Sequence, residues 1–179
     1  MAAEVKGEGN LPLPVNVGFR TVEILKFITR PANTTAYAAD DAISDTSADN
    51  LYNFNNAARS PGGSGTIDKC VIVDSADAAT RPDLELWLFN TPPAKTTDNS
   101  AWAVSDTELN FLTGIIVLPA GDFKRGAASG NLAQMQANLG IPFVCRPSST
   151  SLYGQLVVRN AYTPASGEIF TITLSISQD

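Results

Sequence analysis

A chain of 179 residues with 44% apolar and 17% charged side chains, 13 glycines and 11 prolines has room for one buried core and the turn chemistry of a β-rich fold, and is too short for two such domains. Its net charge of −6, with 12 scattered Lys and Arg, argues against nucleic-acid binding, and the lack of any histidine removes the commonest general base, the Ser-His and Cys-His nucleophile systems and the usual zinc ligand. No run of 18 or more apolar residues predicts a membrane span, and Glu4, Glu8 and Pro12 stand where an export signal needs a basic start and an apolar core, so the expectation is a soluble chain made without export.

Residues 1–14 carry Gly7, Gly9, Pro12 and Pro14 without periodicity and read as an extended N-terminal arm that hangs free or lies on a neighbour. The remainder, 15–179, reads as a single domain. From 15 to 29 the chain is apolar and β-branched; its alternation at Val15, Val17 and Phe19 slips near Thr21 and Val22 and resumes at Leu25 and Phe27, which suggests a bulge or a strand passing between sheets. A connector follows at 29–41. Pro31 biases Arg30 toward the extended region, Asn33 and Thr34 can hydrogen-bond their own backbone, and Tyr37 is the first large group able to anchor what comes next.

Further strands are predicted at 37–43, 51–55, 66–73, 84–89, 112–118, 141–146, 152–159 and 168–177, separated by loop chemistry at 60–65, 91–100, 126–130 and 162–167. The last is the cleanest, with Phe170, Ile172, Leu174 and Ile176 on one face and Thr171, Thr173, Ser175 and Ser177 on the other. Helical signals are few: a capping-box pattern from Ser105 to Glu108, and a short stretch at 131–139. So many strands with so little helix imply an all-β fold, and the long loops favour a jelly-roll-like two-sheet β-sandwich over a tight barrel.

Catalysis without histidine would rest on carboxylates: Asp40 with Asp41, Asp45 with Asp49, Asp74 with Asp77, and Asp83 with Glu85. A glycosidase pair needs two carboxyls facing across a cleft, and most of these acids instead sit beside Pro, Ser or Ala in turns. Neither 40–45 nor 74–77 has the alternating ligands and glycine of a calcium loop, and the glycines at 60–65 lack the Lys-Ser or Lys-Thr of a phosphate loop. Cys70 and Cys145 lie among aliphatic residues and read as small buried hydrophobes. Trp87 shares a strand face with Glu85 and Phe89, a face expected to be covered by a sheet, loop or subunit. No residue is singled out as catalytic, cofactor-binding or metal-binding.

The blocks Thr-Arg-Pro-Ala-Asn-Thr-Thr-Ala-Tyr-Ala-Ala-Asp-Asp (29–41), Gly63 to Ile67, Leu86 to Asn90 with Asp98 and Asn99, Leu152 to Leu156 and Ala161 to Pro164 resemble recurring blocks of a family of small virion proteins of tailed bacteriophages. The resemblance runs from about residue 29 to the end. It implies a capsid decoration (cement) protein, or a related head or tail component, of jelly-roll type, with the decoration protein expected as a homotrimer on the surface of the virion that contacts the major capsid protein, assembled in the bacterial cytoplasm and without a cofactor. An alternative is a tail or fibre module that binds host-surface carbohydrate through Trp102 and the 91–100 loop. A third class, a polysaccharide-cleaving enzyme, would rest on Asp83 and Glu85.

Overall fold

Alternating burial drives the architecture, since strands such as β4, β5 and β11 turn aliphatic rows inward. The computed structural model describes residue 18 and residues 20–46, 51–78, 80–126 and 130–179. The arm assigned to 1–14, the opening of the 15–29 segment and Asp49 lie outside the described residues.

Eleven strands are described: β1 (Arg20–Thr29), β2 (Asp41–Ile43), β3 (Tyr52–Phe54), β4 (Ser64–Asp74), β5 (Leu84–Phe89), β6 (Ser100–Ala101), β7 (Leu112–Leu118), β8 (Lys124–Arg125), β9 (Leu132–Val144), β10 (Leu152–Val158) and β11 (Ile169–Gln178). They form two antiparallel sheets, a five-stranded one in the order β1-β11-β4-β9-β8 and a second in the order β6-β2-β10-β5-β7, with β3 also paired to β10. The first strand lies beside the last and β4 beside β9, the long-range pairing of a jelly roll. The fold is an all-β, jelly-roll-like two-sheet sandwich.

Between the sheets, Ile67, Ile72, Phe170, Ile172, Leu174 and Ile176 meet Leu84, Leu86, Leu88, Ile116, Leu156 and Val158, all buried. At about 25 cal/mol per Å² of apolar surface removed from water, each fully buried side chain of this size contributes roughly 1.5–3 kcal/mol before the loss of conformational entropy. Cys70 and Cys145 are buried and unbridged, and burial pushes the Cys70 thiol up to about 12. The short helix α1 (Asp106–Leu109) is closed by the expected capping box: the Ser105 Oγ accepts from the Glu108 backbone N–H at 3.3 Å, and the Glu108 carboxylate accepts from the Ser105 N–H at 2.7 Å.

Three expectations need correction. The stretch at 131–139 is the first half of β9, not a helix: its alternating Leu132, Gln134 and Ala133, Met135 pair along β4, so an edge-to-edge ladder outweighs weak helix propensity. The extra length is absorbed near 138–140, where Asn138 (φ 56°) and Gly140 (φ 58°) take left-handed conformations and the register shifts against β4. The slip read near Thr21 is not a bulge, because β1 pairs with β11 in unbroken register; the impression arose because both faces of β1 carry apolar residues. The strand expected at 37–43 is shorter, with Tyr37 making only an isolated bridge to Tyr162 before β2.

Candidate functional site

Of the carboxylates weighed as catalysts, Asp40, Asp41, Asp77, Asp83 and Glu85 are held by structural contacts. The Asp83 carboxylate accepts from the Ala120 N–H at 2.6 Å, while Glu85 accepts from the Trp87 indole at 3.0 Å and from Arg159 at 2.5 Å. Asp40 pairs with the same Arg159, and Asp41 caps the turn by accepting from the Ala38 N–H at 2.7 Å. Asp77 pairs with Arg125. Asp83 and Glu85, named together from the sequence, therefore serve separate structural contacts.

The connector leads instead to a buried polar cluster. Arg30, a charged residue in a turn-rich segment, is 1% exposed. Its guanidinium binds the Tyr37 hydroxyl, the Asp98 carboxylate at 3.3 Å and the Ala165 carbonyl at 3.3 Å, and lies 4.5 Å from the centre of the Tyr37 ring. The Tyr37 hydroxyl donates to Asp98 at 2.6 Å, and Asp98 also accepts from the Ser44 N–H at 3.0 Å. Tyr37 stacks on Tyr162 with ring centroids 5.2 Å apart. Three segments distant in sequence thus close on one guanidinium. Burial, followed by the hydrogen bond to Asp98, pushes the Tyr37 hydroxyl far above its ordinary range, so it acts as a neutral donor.

Behind Arg30 lie two carboxyls, Asp74 and Glu168, both out of water. Burial first, then the nearby Asp74 charge, pushes Glu168 up to about 9; burial likewise raises Asp74. Arg30 comes only within 4.0 Å of Glu168, at the limit of an ion pair, because its charge is taken up by Asp98. As carboxylates, both oxygens of Glu168 and Oδ2 of Asp74 would be buried without a donor, and a proton held by Glu168 and shared with Asp74 resolves that conflict. With Arg30, Tyr37, Asp74, Tyr162 and Glu168 each at most 2% exposed, no substrate reaches this cluster; it clamps the connector to the loops before β6 and β11.

The accessible surface lies elsewhere, on the outer face of the five-stranded sheet. Strand registers place Leu25, Thr173, Val71 and Met135 in one row and Phe27, Thr171, Val73 and Ala133 in the next. Leu25, Phe27 and Met135 are 52%, 57% and 59% exposed. A shallow hollow of about 490 Å³ beside Val71 and Met135 extends the rows to Lys124. Along the free side of β1 runs a groove of about 590 Å³, walled opposite by Asn53, Asn55 and Arg59. Sequence reasoning missed this face. The available signal was that β1 carries apolar residues on both faces of a strand alternation, and that Ala133, Met135 and Ala137 form an apolar alternate row within 131–139.

The second sheet is covered where Trp87 faces outward: Trp102 packs on Trp87 and Phe89 at centroid distances of 6.3 and 6.4 Å, and its indole N–H is buried. The expected covering element is the chain's own segment before α1, and the packing engages Trp102 that was considered for stacking on sugars.

No protein-family model and no curated protein matches the chain. Among solved structures it is similar to a chain of the full particle of Israeli acute paralysis virus heated to 63 degrees (9% identity, TM-score 0.28, covering 99% of this chain and 82% of that one). It is also similar to a chain of Triatoma virus (11%, 0.25, covering 86% and 62%) and to a family two carbohydrate esterase from Cellvibrio japonicus (11%, 0.21, covering 87% and 34%). Overlaps this loose carry no argument, and the fold stands on the strand order and registers themselves.

Proposed function

We propose that this chain is a non-enzymatic structural protein of a phage virion, decorating the capsid surface as a homotrimer and clamping neighbouring major capsid subunits. The observation that carries the reading is the outer face of the five-stranded sheet, where Leu25, Phe27 and Met135 stand in adjoining rows open to water. An apolar patch across several strands is surface that a neighbouring protein covers. The resemblance of the blocks from residue 29 onward to virion proteins of tailed phages supports the same reading, as does the structural engagement of Asp83 and Glu85. Many copies on a lattice engage simultaneously, so each contact can be weak.

The test is the composition of purified particles. Mass and stoichiometry measurements are expected to find many copies per virion on the outside of the shell. Presence in only a few copies, or absence from purified heads, overturns the proposal. A paired substitution, Leu25→Ser with Met135→Ser, is expected to leave the urea midpoint of the isolated protein nearly unchanged and to weaken retention on particles.

A further inference from the structure

Hydrogen-bond parity leaves one edge of the first sheet open. The Arg30 N–H donates to the Glu168 carbonyl at 2.9 Å, which continues the β1–β11 ladder by one step. Because successive residues point their backbone groups to opposite sides of a strand, even-numbered residues of β1 face β11 and odd-numbered ones face away. Two contacts agree: the Thr29 carbonyl accepts from the Thr46 N–H on the far side, and the Ile169 carbonyl points to Ser75 rather than to β1. Thr21, Glu23, Leu25 and Phe27 therefore present their N–H and C=O groups to the free side of β1, where Glu23 and Leu25 line the groove, without a backbone partner among the described residues. A ten-residue edge strand with apolar side chains on its exposed face is a template for a further strand.

The chain carries a segment of matching design. Residues 11–17 read Leu-Pro-Leu-Pro-Val-Asn-Val. In an extended segment the odd positions, Leu11, Leu13, Val15 and Val17, keep their N–H groups on one side, while Pro12 and Pro14, which have none, fall on the other. The odd side can join a ladder and the proline side stops further addition. Antiparallel pairing of Val17 with Thr21, Val15 with Glu23, Leu13 with Leu25 and Leu11 with Phe27 sets odd donors against odd acceptors and places leucines beside the two exposed apolar residues of β1. Seventeen residues precede Gly18, whose carbonyl lies 3.5 Å from Arg59 on the groove wall.

That register is out of reach within one copy. A two-residue reversal at 18 and 19 would close on Arg20, whose backbone groups are committed to β11, and a three-residue reversal would bend Arg20, which is extended and paired with Gln178. A five-residue reversal sets Gly9 opposite Phe27 and Leu13 opposite Glu23, which loses the match. We infer that residues 11–17 of one copy add as an antiparallel strand to the free edge of β1 in a second copy of this chain. The inference goes beyond the virion reading and is tested on the isolated protein with no particle present, so either can fail alone.

Amide hydrogen exchange is the direct measurement. In the full chain the amides of Thr21, Glu23, Leu25 and Phe27 are expected to be protected, and Val15→Pro, which removes a ladder donor, should accelerate them by roughly tenfold or more. Asn16→Pro, on the proline side, should leave them protected; the even-numbered amides of Val22, Ile24 and Ile28 should stay protected in both. Equal effects of the two substitutions, or unprotected odd amides in the full chain, overturn the inference. The pair Leu13→Cys with Leu25→Cys should oxidise to covalently linked copies, since hydrogen-bonded cross-strand positions lie within disulfide reach. A disulfide confined within single chains, or none, overturns it.

Discussion

Arg30 shows how one residue can decide a connection. Its guanidinium has no exposed surface and serves Tyr37, Asp98 and the Ala165 carbonyl at once. Arg30→Ala would leave the partly buried Asp98 beside Tyr37 without its cation, and removing one partner of a pair that is fully buried costs about 3–5 kcal/mol, the upper bound here. Urea denaturation should report a loss up to that bound; a change below about 1 kcal/mol would mean that the clamp contributes little. Glu168 makes the complementary case through pH. Its folded pKa, pushed up to about 9, lies above the ordinary carboxylate value of 4.5, so the folded chain holds this proton more tightly than the unfolded one. The resulting stabilisation is fully present below about pH 4.5 and is lost as pH rises through 9. Glu168→Gln keeps a donor toward Asp74 at every pH. Relative to this variant, the native chain should lose stability steadily between pH 5 and 9, and urea midpoints that run parallel across this window would rule out a protonated Glu168.

At the scale of elements, the sheets depend on close backbone approach as much as on apolar rows. Gly65 lies in β4 where β11 crosses nearest: a Cβ there would stand 2.6 Å from the Ser177 carbonyl oxygen and 2.9 Å from the Phe143 ring. Since the nearest atom is backbone, it cannot swing aside, and Gly65→Ala should destabilise by about 1–3 kcal/mol. Thermal unfolding measures this; a neutral result would mean that β11 yields more readily than its ladder suggests. Strand β9 teaches the converse lesson about propensity. Gln134, Met135, Gln136 and Ala137 favour helix locally, yet every one of them lies in the ladder against β4 or beside it. The strands β6 and β8, two residues each, carry no pattern at all and exist because a longer neighbour offers them an edge.

For the whole molecule, the pairing of the first described strand with the last joins segments about 150 residues apart. Such long-range pairing predicts folding in milliseconds to seconds rather than microseconds. The residues that form the described core between the two sheets all come after residue 14, so a chain lacking 1–14 should melt within a few degrees of the full one while coating particles less tightly. Circular dichroism and particle retention measure the two halves of that expectation. A truncated chain that coats equally well would show that attachment runs through the sheet faces alone.

Much of the fold was legible because its signals are local. The inward row of β11, the limits of β5 and β7, the capping box at Ser105 and the burial of both cysteines each follow from residue types a few positions apart. The lack of histidine likewise excluded histidine-based chemistry at once. What only the tertiary structure decided concerns charge and partnership. Nothing near Arg30 in sequence announces that it is buried against Asp98, 68 residues on, or that Glu168 shares a dry site with Asp74. Desolvation depends on everything packed around a group, and those neighbours come from segments that meet only when the sheets close. The same reason separates the two apolar faces of β1: alternation shows both, but only the assembled sandwich determines that Val22, Ile24 and Ile28 turn inward while Leu25 and Phe27 stay exposed.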